Sequence, residues 1–170
     1  PYKTLDDVFE QVEFFVDAVS DYKSDFVLFP EYFNAPLMAK FNHLGEAQSI
    51  RGLAQYTEEI RERFVNLAIS YNINIITGSM PLLKEDGALY NVGYLIRRDG
   101  SYEMYEKVHV TPDEQKSWGL SGGKMVKTFD TDCARIGVLI CYDVEFPELA
   151  RIMADQGMQI LFVPFLTDTQ

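Results

Sequence analysis

Residues Arg135 to Glu148 read RIGVLICYDVEFPE. Ile136 to Ile140 is an uninterrupted apolar run, too short for a free-standing helix and the right length for a strand buried on both faces. It runs straight into Cys141. Beyond the cysteine the apolar residues switch to helical spacing, with Leu149, Ile152 and Met153 on one side, Pro147 and acidic residues near the start, and Gly157 as a stop. The pattern predicts strand, turn and helix, with Cys141 in the turn. A thiol so placed meets backbone N–H groups and the positive end of a helix, which predicts an environment favouring the thiolate.

Working outward, Gln159 to Val163 predicts another buried strand, ended by Pro164, and Val126 to Phe129 a short one. Residues Thr111 to Gly123 look like an irregular excursion with a single helical turn. The apolar alternation before it predicts strands at about 73–80, 88–97 and 101–107. Turns at Lys84–Gly87 and Arg98–Gly100 make these a meander. An amphipathic helix with Ile60, Phe64, Leu67, Ala68 and Tyr71 as its buried stripe is expected to start at a Thr57 cap and to end at Asn72. Asn34 to Arg51 shows no clear period and is expected to be a long loop with a short helix. Near the start, Val8, Phe9, Val12, Val16 and Val19 give an amphipathic helix to about Tyr22, and Phe26 to Phe29 a buried strand closed by Pro30. The alternation of helices and strands implies a mixed α/β sheet system with helices on its outer faces.

Composition narrows the function. The 170-residue chain, 47% hydrophobic and 14% aromatic, can bury a sizeable core and is expected to form one domain, residues 1–170. A net charge of −11, with no basic cluster, disfavours nucleic acid and anionic membranes as partners. No long apolar run or basic-then-apolar leader occurs, so a cytoplasmic location is expected. Cys133 and Cys141 lie too far apart along an extended chain for a disulfide. His43 and His109 form no recognisable metal motif, and neither metal nor cofactor is expected.

Glu31, Lys107 and Cys141 each stand at the exit of a predicted strand, where open α/β folds gather ligand groups. A thiolate attacks carbon bonded to nitrogen, a carboxylate moves protons, and a fixed cation stabilises developing negative charge. Each residue also has an ordinary role open to it: Cys141 as inert packing, Glu31 and Lys107 as solvated charges or a weak ion pair.

The chain resembles the carbon-nitrogen hydrolase, or nitrilase, superfamily, whose Glu, Lys, Cys set is matched by FPEYF around Glu31, YEKVHVTPDE around Lys107 and GVLICYDVEFPELAR around Cys141. The resemblance implies a four-layer αββα sandwich and the roles of general base for Glu31, cation for Lys107 and nucleophile for Cys141. It also implies an oxyanion contact from the Tyr142 backbone N–H and a supporting carboxylate from Glu114, for which a solvated turn is the equal alternative. Tyr32, Phe33 and Trp118 are candidate pocket residues, and each is otherwise core. Asp143, Glu148 and Arg151 are expected to be structural, the last two as an ion pair, and His109 to make a local hydrogen bond. The resemblance further implies pairing of subunits through the helix after Cys141. The family's first strand and C-terminal third are expected to be missing, judged against domains of about 200–250 residues for a two-sheet fold. The function so implied is hydrolysis of a small linear amide or N-carbamoyl compound through a cysteine thioester. Nitrile hydrolysis and a non-catalytic assembly module are the alternatives, and a redox thiol sensor is weaker because Cys133 is not placed to resolve an oxidised Cys141.

Overall fold

The structure, a computed structural model, describes residues 4–166. Helix α1 (Leu5–Asp21) opens with a capping box in which Thr4 Oγ1 accepts from Asp7 N–H and the Asp7 carboxylate accepts from Thr4 N–H. It buries Leu5, Val8, Phe9, Val12 and Val16, the spacing seen in the sequence. Strand β1 (Phe26–Leu28) follows. The stretch expected as a long loop with a short helix holds two helical pieces, a 3₁₀ helix over Ala35–Phe41 and helix α2 (Glu46–Leu53). Ile50 and Leu53 anchor α2 in the interior, but apolar residues so sparse in a polar segment leave no period to detect. Helix α3 (Thr57–Ser70) continues from a 3₁₀ turn over Ala54–Tyr56, so Thr57 does not cap it. Its hydroxyl donates to the Pro81 carbonyl at 2.6 Å.

The single strand expected at 73–80 is broken into β2 (Asn74–Ile76) and β3 (Met80–Leu83). The break is Thr77-Gly78-Ser79, with Gly78 in left-handed backbone at φ 67° and no room for a side chain: a Cβ there would lie 2.0 Å from the Pro30 carbonyl oxygen. Strand β4 (Leu89–Ile96) pairs antiparallel with β2 and β3, and also with β5 (Tyr102–Glu106). Helix α4 (Pro112–Lys116) and the short strand β6 (Leu120–Ser121) follow, β6 lying parallel to β4. With β1 parallel to β2, these make a six-stranded sheet. A second, three-stranded sheet has β8 (Arg135–Val138) between antiparallel β7 (Thr128–Asp130) and parallel β9 (Ile160–Phe162). The connection from β8 to β9 carries helix α5 (Pro147–Asp155).

Alternation along the strands assigns the faces. Ile75, Val92, Tyr94 and Ile96 pack with α1 and α3 through Val12, Val16, Ile60 and Phe64. On the opposite face Ile76, Leu95 and Tyr105 meet Phe129, Ile136, Val138 and Ile140 of the second sheet. Leu149 and Met153 of α5 close a further cluster with Leu139. The order is helix, sheet, sheet, helix: the four-layer αββα sandwich.

Candidate active site

Glu31 leaves β1 through a turn that the broken neighbouring strand holds in place. Phe29 N–H donates to the Ile76 carbonyl at 2.9 Å, Ser79 N–H to the Pro30 carbonyl at 3.3 Å, and Tyr32 N–H to Ser79 Oγ at 3.3 Å. Tyr32 takes φ 48°, a left-handed conformation that a bulky residue adopts only under constraint. The turn directs the Glu31 carboxylate inward, where the residue is 3% exposed. Lys107 follows β5, its backbone N–H donating to the Asn91 carbonyl of β4 at 2.9 Å, and is 1% exposed. Glu114 lies in the first turn of α4, locked by a capping box with Thr111 and buried.

Burial of this much charge is stable only if it is paired. Lys107 Nζ donates to Glu31 Oε1 at 2.9 Å and to Glu114 Oε1 and Oε2 at 3.0 and 2.8 Å. Burial works against the ammonium, but Glu31 and Glu114 outweigh it and hold Lys107 above the usual lysine range. For Glu114 burial likewise opposes the charge, and Lys107, the Thr111 N–H and Tyr32 overcome it, keeping the carboxyl below its usual range. The Tyr32 hydroxyl donates to Glu114 Oε1 at 2.8 Å, and burial beside that carboxylate raises the phenol well above its usual value.

Cys141 is half-buried and has φ 48°. Its N–H donates to the Pro164 carbonyl at 2.9 Å, and its Sγ lies 3.8 Å from the Leu166 carbonyl oxygen. The expectation of a thiolate-favouring helix terminus is corrected here. A 3₁₀ turn over Cys141–Glu145 intervenes before α5, so the α5 terminus is not at the sulfur. Burial, then the charge and hydrogen bond of Glu31, push the thiol up, and Lys107 offsets this only partly.

Other residues divide between the site and the frame. Tyr142 follows the cysteine within the 3₁₀ turn, ahead of its first internal bond, from Asp143 N–H to the Ile140 carbonyl at 3.1 Å. Asp143, 1% exposed, accepts from the N–H groups of Val108 and His109 at 3.0 and 2.7 Å, with His109 Nδ1 at 3.1 Å. It ties the residues after Lys107 to the turn that carries Cys141. The His109 ring stacks on Phe146 at 3.7 Å. No ion pair joins Glu148 and Arg151 among the described residues; at exposed helix positions water competes for both. Trp118 packs edge-on to Tyr32 at 5.5 Å, beside the cluster. Phe33 does not join them: its ring packs on Phe29 and Phe64 in the main core. Cys133 and Cys141 are both free thiols, and among the described residues no group of His, Cys, Asp and Glu suits a metal ion.

Sequence reasoning missed Asn91, whose Nδ2 donates to Glu31 Oε1 at 3.0 Å and to Glu114 Oε1 at 3.4 Å. Its one signal is a polar amide inside the apolar run LYNVGYLI. It also missed the backbone of Leu166, whose N–H donates to Glu31 Oε2 at 3.2 Å.

A buried carboxylate–ammonium–carboxylate cluster beside a strained cysteine, on an αββα sandwich, defines the class to which the comparisons with known proteins also point. The family profile for carbon-nitrogen hydrolases matches residues 1–169, and the chain belongs to that family. It is 49% identical over 158 residues to the probable hydrolase YhcX of Bacillus subtilis (strain 168), covering 93% of this chain and 31% of the relative. It is 36% identical over 151 residues to the omega-amidase NIT2 of Homo sapiens, covering 81% of this chain and 50% of that one. The crystal structure of a carbon-nitrogen hydrolase from Helicobacter pylori G27 superimposes with a TM-score of 0.85 at 22% identity, over 99% of this chain and 58% of the other. The chain thus spans half or less of the length of these two relatives.

Proposed function

We propose that this chain carries the active site of a hydrolase that cleaves the non-peptide C–N bond of a small linear amide or N-carbamoyl compound through a thioester on Cys141. The observation that carries this reading is the buried cluster of Glu31, Lys107 and Glu114, with the Cys141 thiol coupled to the Glu31 charge. Because burial and the Glu31 charge disfavour the thiolate, attack requires a base at the moment of bond formation. Glu31 takes the Sγ proton as Sγ adds to the substrate carbon, and the C=O electron pair moves onto oxygen. Lys107 and the Tyr142 N–H stabilise that oxyanion, and Glu114 holds the ammonium in place. Collapse breaks the C–N bond, and the leaving nitrogen receives the proton from Glu31. Water then gives a proton to Glu31 and adds to the thioester carbon, and the departing sulfur recovers that proton. One water is consumed, an acid and ammonia or an amine are released, and both side chains are restored.

Amides come ahead of nitriles because Tyr-Asp follows the cysteine and because the relatives include proteins named omega-amidase. Trp118 and Tyr32 support an apolar pocket wall, while Phe33 is withdrawn from that role. The exposed Ile152 and Val144, on and beside α5, support pairing of two subunits there. Ammonia release from an amide and carbamoyl series by the full-length chain tests the function. Activity in the wild type that disappears in Cys141→Ala is expected. Undiminished release by Cys141→Ala overturns the nucleophile, and no release from any substrate favours the assembly module.

A further inference from the structure

The two oxygens of Glu31 are not equivalent. Oε1 accepts from both Lys107 Nζ, at 2.9 Å, and Asn91 Nδ2, at 3.0 Å, whereas Oε2 accepts from the Leu166 backbone N–H, at 3.2 Å. We infer that Asn91 is a positioning residue of this site: with Lys107 it pins Oε1 and thereby leaves Oε2 as the oxygen that receives the Cys141 proton. The inference rests on the function proposed above.

The burial of Asn91 favours this role over packing. The residue is fully buried in the middle of β4, and its Oδ1 has no hydrogen-bond partner among the described residues. A buried orphan acceptor is destabilising, and an apolar residue of similar volume would fill the same space without it. What the amide adds is Nδ2, a neutral donor set between two carboxylates that share one ammonium. The amide orientation follows from the network, because a flipped amide would aim its oxygen at both carboxylates. An aspartate here would do the same with a full charge. Asn91 also reaches the lysine through its backbone, since its carbonyl accepts from Lys107 N–H at 2.9 Å. One residue of a central strand therefore sets the height of the cation and the rotation of the base. Its contacts are to Glu31, Glu114 and Lys107, so it acts on the reaction through those residues.

The test is the kinetics of Asn91→Ala and Asn91→Ser in the full-length chain. A lost hydrogen bond to a charged group predicts a fall in kcat of roughly tenfold to a hundredfold with KM within about twofold, and an equal slowing of Cys141 alkylation. Unchanged kcat in a folded variant, or a loss confined to KM, overturns the assignment. Should both variants fail to fold, the side-chain amide NMR resonances of Asn91 in the otherwise native protein decide. They are expected to shift in both Glu31→Gln and Glu114→Gln, and insensitivity to Glu31→Gln overturns the inference. Failure of the underlying function shows separately, as wild-type protein that releases no ammonia or a Cys141→Ala variant that still does.

Discussion

At the scale of single residues, the Glu31 carboxylate opposes ionisation of the Cys141 thiol. Burial first, then the charge and hydrogen bond of Glu31, raise the thiol, so Glu31→Gln removes two raising influences. The variant is expected to ionise Cys141 at lower pH than the wild type, measured by thiolate absorbance or alkylation rate against pH, while losing hydrolysis. A thiol that ionises at the same or higher pH in Glu31→Gln would show that the two groups are not coupled. Lys107 presents the complementary case, a buried cation between buried carboxylates. Lys107→Met is expected to cost about 3–5 kcal/mol, because it strands those charges. The pH dependence follows from Glu114, whose carboxyl is depressed from the ordinary 4.5 in the folded protein. Its stabilisation is fully present above that ordinary value and is lost as pH falls through the depressed one. Without Lys107, the leading influence that depresses Glu114, this acid-dependent loss should shrink, which urea unfolding at a series of pH values will measure. Glu31, Lys107 and Cys141 were legible in the sequence because each closes a strand-like run. Asn91 was not: its partners come from other strands and from α4, and lateral neighbours leave no trace in spacing along the chain.

At the scale of elements, the strand–turn–helix around Cys141 was readable from one change of periodicity, and α1 from its apolar stripe. The electrostatics of that turn were not, because they depend on how many residues separate the cysteine from the first turn of α5. The 3₁₀ turn over Cys141–Glu145 fills that interval, and apolar periodicity does not reveal it. Likewise the run from 73 to 80 gave a strand but hid its interruption at Gly78, where the Pro30 carbonyl crosses close to the backbone. That crossing sets the direction of Glu31. Gly78→Ala must clear a 2.0 Å approach and take a left-handed backbone. It is therefore expected to destabilise by roughly 1–3 kcal/mol, and to lower kcat more than a distant substitution of equal stability cost does. Thermal unfolding together with kcat checks it; a variant as active and as stable as the wild type contradicts the account of the turn.

At the scale of the whole molecule, two sheets from distant parts of the chain face each other so that the ends of β1, β5 and β8 present an acid, an amine and a sulfur to one place. The αββα layering was legible through the resemblance of three short motifs, whereas element order alone gave only a mixed sheet with outer helices. Among the described residues no helix is long and apolar enough to cross a membrane. The net charge of −11 sets an electrostatic background unfavourable to polyanions. The most direct measurement of the central claim is rapid-quench mass spectrometry of the full-length protein during turnover of an amide it hydrolyses. An acyl adduct on the Cys141 peptide, forming and decaying at rates compatible with kcat and absent from Cys141→Ala, is the predicted result. Turnover without any adduct on Cys141, or with the adduct on another residue, would contradict it.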